Sequence, residues 1–286
     1  MDRSELVVTP RRRPTGSLPL YVVLHGSGAT PASAARRTGL LPLAAAGRAL
    51  LLYPQGIGRS WNAGQGCCGA AGASGVDDVG FVLAAVDDAV AELGASPSEV
   101  HLVGYSNGGK LALRLAAEHA ERWAAIATFA AVPLTPLGAG PPVPLLLAGG
   151  TDDRRTPWEG GPSIQRGALA PSLTGAAEAY LAAYGLGGAT PERVTLARDR
   201  VEVSTWRGRS PRSVVRLVAY RGWGHAWPGS GGVPGSASLL GSGGLLGGGG
   251  WPLSRRRPPI ELAALLDCFF AERVGRPPSG GAAPEG

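Results

Sequence analysis

The sequence predicts an α/β fold: a mostly parallel central sheet with helices on both faces and abbreviated antiparallel strands at its N-terminal side. Three observations carry that expectation. Short apolar runs such as PLYVVLH (19–25), ALLLY (49–53) and VPLLLAG (143–149) alternate with stretches of helical periodicity. Repeated strand–helix–strand alternation builds a parallel sheet covered on both sides. The run ending Val100 to Val103 leads without a break into Gly104-Tyr105-Ser106-Asn107-Gly108 and then into helix-forming residues. Residues able to do chemistry also fall just past strand ends, on the rim where such sheets bind ligands.

Taken in order, Glu5 to Thr9 offers one short lead-in strand. Pro19 to His25 is a buried strand that ends in Gly26-Ser27-Gly28. Helical character runs from Pro31 to Arg48, and Ala49 to Tyr53 is the next strand. A long glycine-rich loop follows, carrying Trp61, Asn62, Cys67 and Cys68, and loops of that length in compact domains are usually functional. Val76 to Leu93 reads as an amphipathic helix with Phe81, Val82, Val86 and Val90 on its inner side. Asp77 and Asp78 fall in its first turn, where carboxylates suit the helix dipole better than they suit catalysis. After the serine and its helix come strands at Trp123 to Ala131 and Val143 to Gly149, then a helix at Thr174 to Tyr184. Two more strands are expected at Val201 to Trp206 and Val214 to Tyr220. Gly229 to Gly250 is nearly all Gly, Ser, Leu and Pro, which predicts a flexible surface insertion. Ile260 to Val274, with Leu262, Leu265, Leu266, Phe269 and Phe270 at helical spacing, closes a single domain spanning 1–274. Residues 275–286 read as a disordered tail.

Composition narrows the classes. With 286 residues the chain can bury a sizeable core, and no apolar run approaches the roughly 18 residues of a membrane-spanning helix. The formal charge of +6 raises the question of nucleic acid, yet Lys110 is the one lysine and the other 26 basic residues are arginines, mostly scattered, with the runs Arg11 to Arg13 and Arg255 to Arg257 beside prolines reading as solvated loops. Beside 46 glycines and 25 prolines, that excess reads as compositional bias rather than a phosphate-binding face. Three cysteines, Cys67, Cys68 and Cys268, are too few for a disulfide scaffold, and no zinc-ligand spacing accompanies them. One bridge from Cys67 or Cys68 to Cys268, or three thiols, both fit. The charged N-terminus lacks an apolar leader core, so the chain is either cytoplasmic or written without its leader. No metal and no cofactor is implied, and oligomeric state is open.

Gly104-Tyr105-Ser106-Asn107-Gly108 is G-x-S-x-G, and its spelling has a physical cause. A serine on a sharp strand-to-helix turn sits in a strained conformation, and side chains two positions away on either side would collide. Glycines at 104 and 108 remove that collision; the bland alternative is an ordinary glycine-flanked turn. A serine so placed needs a base, usually a histidine held by a carboxylate. Of four histidines, His25 belongs to the loop after its strand, His101 lies inside a strand and His119 sits at the far end of the helix after Ser106. His225, in Gly222-Trp223-Gly224-His225-Ala226-Trp227, comes late enough for the order Ser, Asp, His. The acid must lie between them, and Asp152 and Asp153 just past a strand end both qualify, whereas Asp199 looks solvated. The oxyanion donors expected are backbone N–H groups at Gly26 or Ser27 and at Asn107. Trp61, Trp158, Trp223 and Trp227 lie in loops expected around Ser106. Of these, Trp61, Trp158 and Trp227, together with Tyr105, are candidate substrate contacts.

Several separated segments then match one family. LHGSG, YPQGIGRSWNAGQGCCG, VDDVGFV, GYSNGG, GTDDRRTPWEGG and GHAWPG occur in order across residues 19–229. On these the chain resembles the polyhydroxybutyrate depolymerase-like esterases, including the LpqC-type and feruloyl esterase relatives, within the α/β-hydrolase superfamily. The resemblance implies a serine esterase with triad Ser106, Asp153 and His225, the acid standing three residues after a glycine and a few before a Pro-Trp-Glu-Gly-Gly run. It implies short-chain, aryl or polyester substrates acting as small or polymeric esters, and it suits an extracellular setting. The chain departs from the pattern at Gly149, where many relatives carry histidine. It also departs after Tyr184-Gly185-Leu186, where an Asn-Gly-Cys is absent. A peptidase or thioesterase on the same machinery, or a non-catalytic binding protein, is the competing expectation.

Overall fold

The computed structural model describes residues 3–12, 14–135, 140–162, 169–229 and 257–274. The expected insertion at 229–250, apart from Gly229, and the expected tail at 275–286 lie outside the described residues.

Within them, one nine-stranded sheet organises the chain. Its strands are β1 (Glu5–Val8), β2 (Leu18–Leu24), β3 (Leu50–Pro54), β4 (Ala95–Tyr105), β5 (Ala125–Phe129), β6 (Leu145–Gly150), β9 (Glu192–Leu196), β10 (Val201–Arg207) and β11 (Val214–Tyr220). A separate two-stranded pair, β7 (Gly161–Pro162) and β8 (Leu169–Ala170), stands apart from it. The spatial order is β1-β3-β2-β4-β5-β6-β11-β10-β9. From β3 to β11 neighbours run parallel, while β1 pairs antiparallel with β3, and β10 and β9 add antiparallel strands at the other edge. Strand order reverses between β3 and β4 on either side of β2, the place where such sheets open a crevice at their carboxyl ends.

Each apolar strand is buried on both faces, and alternation along it assigns residues to one side or the other. Leu20, Val22, Leu52, Leu102, Ile126, Leu145 and Leu217 face one layer. That layer is formed by α4 (Asp78–Leu93), α5 (Asn107–Glu118) and α6 (Leu173–Ala183). Tyr21, Val23, Leu51, Val103, Ala127, Leu146 and Val218 face the other. There α1 (Pro31–Thr38), α2 (Leu41–Ala45) and α7 (Leu262–Val274) cover them, with Phe269 and Phe270 fully buried. Burying two such rings is worth about 1.5–3 kcal/mol each, so α7 is a structural part of that face.

Several expectations are corrected. The helical stretch from 31 to 48 is two helices, because Gly39 takes a left-handed φ of 73° that ends α1. The long loop is partly regular, with a 3₁₀ turn (Ile57–Arg59) and α3 (Gly69–Ala73). Asp77 and Asp78 do not share a role. Asp77 caps α4 by accepting from the Gly80 N–H at 2.8 Å. Asp78 is wholly buried, where it pairs with Arg3 and accepts from the Asn62 N–H at 2.6 Å. Cys67 and Cys68 are bonded to each other, and Cys268 on α7 is free and exposed. The edge strand β9 was not expected at all. No helix among the described residues is long and apolar enough to cross a membrane, and no group of three or more His, Cys, Asp or Glu there could hold a metal ion.

Candidate active site

Ser106 sits between β4 and α5 with φ 51° and ψ −116°, a region that a non-glycine residue holds only when its surroundings force it. Those surroundings are tight. A Cβ at Gly104 would lie 2.5 Å from the Gly109 Cα, and one at Gly108 would lie 2.3 Å from the Leu24 carbonyl oxygen. Only glycine fits at either place, as the spelling of the turn predicts. The Ser106 hydroxyl makes no capping bond to α5, although it stands at the N-cap. It is instead 3.0 Å from His225 Nε2.

His225 Nδ1 lies 2.7 Å from Asp153 Oδ2, and the side chains are 9% and 1% exposed. The other carboxylate oxygen of Asp153 accepts from the Arg155 N–H at 2.7 Å and the Thr156 N–H at 2.9 Å, which fixes the carboxylate in one orientation. Asp152 is exposed, and its Oδ1 accepts from its neighbour, the Thr151 hydroxyl. Parallel pairing of β6 with β11 puts the two loops side by side, with Gly150 opposite Tyr220. Asp152 N–H then donates to the Trp223 carbonyl at 2.9 Å, and Gly222 N–H donates to the Thr151 hydroxyl at 2.9 Å. A Cβ at Gly150 would lie 2.0 Å from the Trp223 carbonyl oxygen, so the histidine loop rests directly on the acid loop. The Trp223 indole N–H donates to the Ala226 carbonyl at 2.6 Å, bracing the turn that carries His225.

On the other side, β2 pairs with β4 so that Leu24 stands opposite Gly104, and the loop His25 to Gly28 emerges beside Ser106. Gly28 N–H donates to the Arg59 carbonyl at 2.8 Å and Ala29 N–H to the Gly26 carbonyl at 3.1 Å. The Asn107 N–H heads α5, where it has no acceptor within the helix, and a Cβ at the next residue, Gly108, would lie 2.5 Å from the His25 carbonyl oxygen. The His25 ring is buried beneath that loop. Its Nε2 accepts from the Gly56 N–H at 3.1 Å, so Nδ1 carries the proton and donates to the Gly26 carbonyl at 2.9 Å. Burial lowers its pKa to about 4, against the opposing pull of that carbonyl, and keeps the ring neutral.

Three of the four expected substrate contacts are placed differently from the expectation. Trp61 is fully buried in the core, with its indole N–H donating to the His25 carbonyl at 2.8 Å. Tyr105 is buried and donates its hydroxyl to the His225 carbonyl at 2.7 Å; burial, followed by the Asp153 charge, pushes that phenol's pKa up. Trp227 is buried edge-on against Tyr105 and Phe129. All three are wide apolar rings in loops or strand ends that fold back onto the sheet, where burying them is worth more than presenting them to solvent. Trp158 is half-buried and lines a cavity of about 400 Å³ with Trp206, Glu159, Arg193 and Arg221, and Ser106 and His225 are not among its walls. The supporting parts missed by sequence reasoning are the His25 ring, the Trp61 indole and the Asn107 side chain. The presence of LHG and SWN among the separated segments that carry the family resemblance was their only signal.

No protein-family model matches the chain. Over 228 residues it is 33% identical to "Putative esterase NocK" of Nocardia uniformis subsp. tsuyamanensis, an alignment covering 74% of this chain and 66% of that protein. The chain thus spans just under two thirds of that relative. Among solved structures it is similar to an acetyl xylan esterase from Aspergillus awamori, with a TM-score of 0.59 and 14% identity over 78% of this chain and 89% of the other. It is similar also to the esterase PE8, with a TM-score of 0.50 and 18% identity over 79% and 93%. At such identities the likeness concerns architecture, and together with the sheet order it gives this chain the α/β-hydrolase fold.

Proposed function

We propose that the chain is a serine carboxylic-ester hydrolase working through an acyl-enzyme. The observation that carries this reading is the unbroken run from Ser106 Oγ to His225 Nε2 at 3.0 Å and from His225 Nδ1 to Asp153 at 2.7 Å. His225 takes the Ser106 proton as Oγ attacks the ester carbonyl carbon, and the carbonyl electron pair moves onto oxygen. Asp153 holds the imidazole in the tautomer that leaves Nε2 free and stabilises the imidazolium that forms. N–H groups of Asn107 and of Ser27 or Gly26 stabilise the oxyanion. Collapse expels the alcohol, protonated by His225; water, deprotonated by His225, then releases the acid and restores Ser106.

Thioesters and amides would engage the same groups, and the relative's printed name favours ester. For substrate class, the resemblance to polyhydroxybutyrate depolymerase-like and feruloyl esterases supports short acyl, aryl or polyester esters, with Trp158 assigned to the bulky side of the substrate. Replacing Ser106 with alanine should lower kcat toward p-nitrophenyl acetate on the order of a millionfold. A serine-directed fluorophosphonate should label the parent and leave the variant unlabelled. Retention of a tenth of the activity, or labelling of the variant, would sink the proposal.

A further inference from the structure

The two segments proposed to hold the oxyanion follow different strands, and two buried side chains in series, the Asn107 carboxamide and the Trp61 indole, link them. The Asn107 carboxamide grips the backbone of Trp61 at both ends, its Oδ1 accepting from the Trp61 N–H at 2.7 Å and its Nδ2 donating to the Trp61 carbonyl at 2.9 Å. That uses the amide as a neighbouring strand would be used, and it fixes the residue after Ser106 to the glycine-rich segment between β3 and α4. The Trp61 indole N–H, in turn, donates to the His25 carbonyl at 2.8 Å. Both residues are essentially inaccessible, at 1% and 0% exposure, so water offers neither bond a substitute.

A peptide unit is planar and trans, so anchoring a carbonyl oxygen sets the direction of the N–H on the other side of the same plane. The His25 carbonyl shares its plane with the Gly26 N–H, and Trp61 anchors it. The Gly26 carbonyl shares its plane with the Ser27 N–H, and it is anchored by His25 Nδ1 and by the Ala29 N–H. A Cβ at Gly108 would meet the His25 carbonyl oxygen at 2.5 Å, so the first turn of α5 also bears on this peptide directly. Asp78 adds a further hold, accepting from the N–H of Asn62, next to Trp61.

We infer that Trp61 is a positioning residue of the oxyanion site, registering the Asn107 N–H against the Gly26 and Ser27 N–H groups through its backbone and its indole. This rests on the serine-hydrolase reading above. Donors aimed at a developing charge act in the transition state and not in substrate binding, and a misplacement of about 1 Å costs up to about a hundredfold.

The test uses Trp61→Phe, which keeps a buried ring and removes the donor, with Asn107→Ala as a second variant that keeps the backbone N–H and removes the grip. Kinetics with p-nitrophenyl acetate are normalised to competent sites by fluorophosphonate titration, which takes misfolded protein out of the comparison. Each variant should lose about tenfold to a hundredfold in kcat with KM within about twofold. Affinity for an aryl trifluoromethyl ketone, whose hemiketal carries the oxyanion, should fall by the same factor as kcat/KM. The double variant should lose less than the product of the single losses, since both break one tie. Unchanged kcat per competent site in both variants, or losses confined to KM, would overturn the inference. Ser106→Ala measured alongside separates the two readings: an active Ser106→Ala enzyme removes the serine mechanism itself, whereas an inactive one beside unaffected Trp61 and Asn107 variants removes only the role of Trp61.

Discussion

Ser106 holds its strained conformation because the backbone around it allows no other residue pattern, and that is why the serine was legible from spelling alone. Collisions at Gly104 and Gly108 are backbone facts, and backbone facts write themselves into sequence as glycine. The proposed acid was less legible. Asp152 and Asp153 are adjacent and chemically identical, and which one turns inward depends on a hydrogen-bonded loop, with Arg155 and Thr156 N–H groups holding the Asp153 carboxylate. On the proposed mechanism Asp153→Asn should cost about 10⁴-fold in kcat by stabilising the wrong imidazole tautomer, while Asp152→Asn should stay within about threefold. Equal losses from the two would contradict the assignment, and the reverse ranking would move the acid to Asp152. Tryptophans were least legible of all. A ring in a glycine-rich loop reads alike whether it lines a cleft or plugs the core, so Trp61 was expected on the rim and lies beneath it.

At the scale of elements, strands buried on both faces were read with nearly correct limits because continuous apolar runs have no other use in a chain of this kind. β11, expected at Val214 to Tyr220, has those limits. β9 was missed because Glu192 to Thr195 are exposed, and an edge strand with one partner need not be apolar. β4 carries an oddity that yields a prediction. His101 is fully buried, stacked on the Phe270 ring at 4.4 Å, and neither ring nitrogen has a partner among the described residues. Burial lowers its pKa to about 3, and that of His25 to about 4, from the ordinary 6.5. Folded-state values below the unfolded one mean that the unfolded chain binds the extra protons. Stability is therefore complete above about pH 6.5 and falls as pH drops from there toward 4, by up to about 1.4 kcal/mol per pH unit for each histidine. His101→Phe should remove one of the two contributions and roughly halve the loss of stability between pH 6.5 and 4.5, read from urea midpoints at each pH. Identical pH slopes for parent and variant would show that His101 is not charged on unfolding or is not neutral when folded.

For the whole molecule, the reversal of strand order at β2 brings together loops distant in sequence: residues 25–28, 59–62 and 106–107 on one side, and 150–153 with 222–227 on the other. That convergence follows from topology, so the order of elements was enough to foresee it, while the ties between loops were not. The same arrangement bears on acyl length. Trp61, Tyr105 and Trp227, three of the four rings expected to face a substrate, are committed to packing. The exposed large hydrophobics among the described residues are Leu41, Leu169 and Val194, on α2, β8 and the edge strand β9. None of them belongs to the loops around Ser106, so no strongly exposed large hydrophobic among the described residues stands there to bed a long acyl chain. Each methylene that such a chain left in water would forgo about 0.8 kcal/mol of burial. On the proposed function, kcat/KM should fall at least about a hundredfold from p-nitrophenyl acetate and butyrate to palmitate, equivalent to about 2.7 kcal/mol of transition-state binding. Trp158→Ala should weaken aryl and oligo-hydroxybutyrate esters more than acetate if the cavity it lines accepts the bulky side of the substrate. A preference for palmitate would overturn that expectation, and a Trp158→Ala effect equal on all esters would take that cavity out of substrate binding; in both cases the Ser106, His225 and Asp153 alignment would stand.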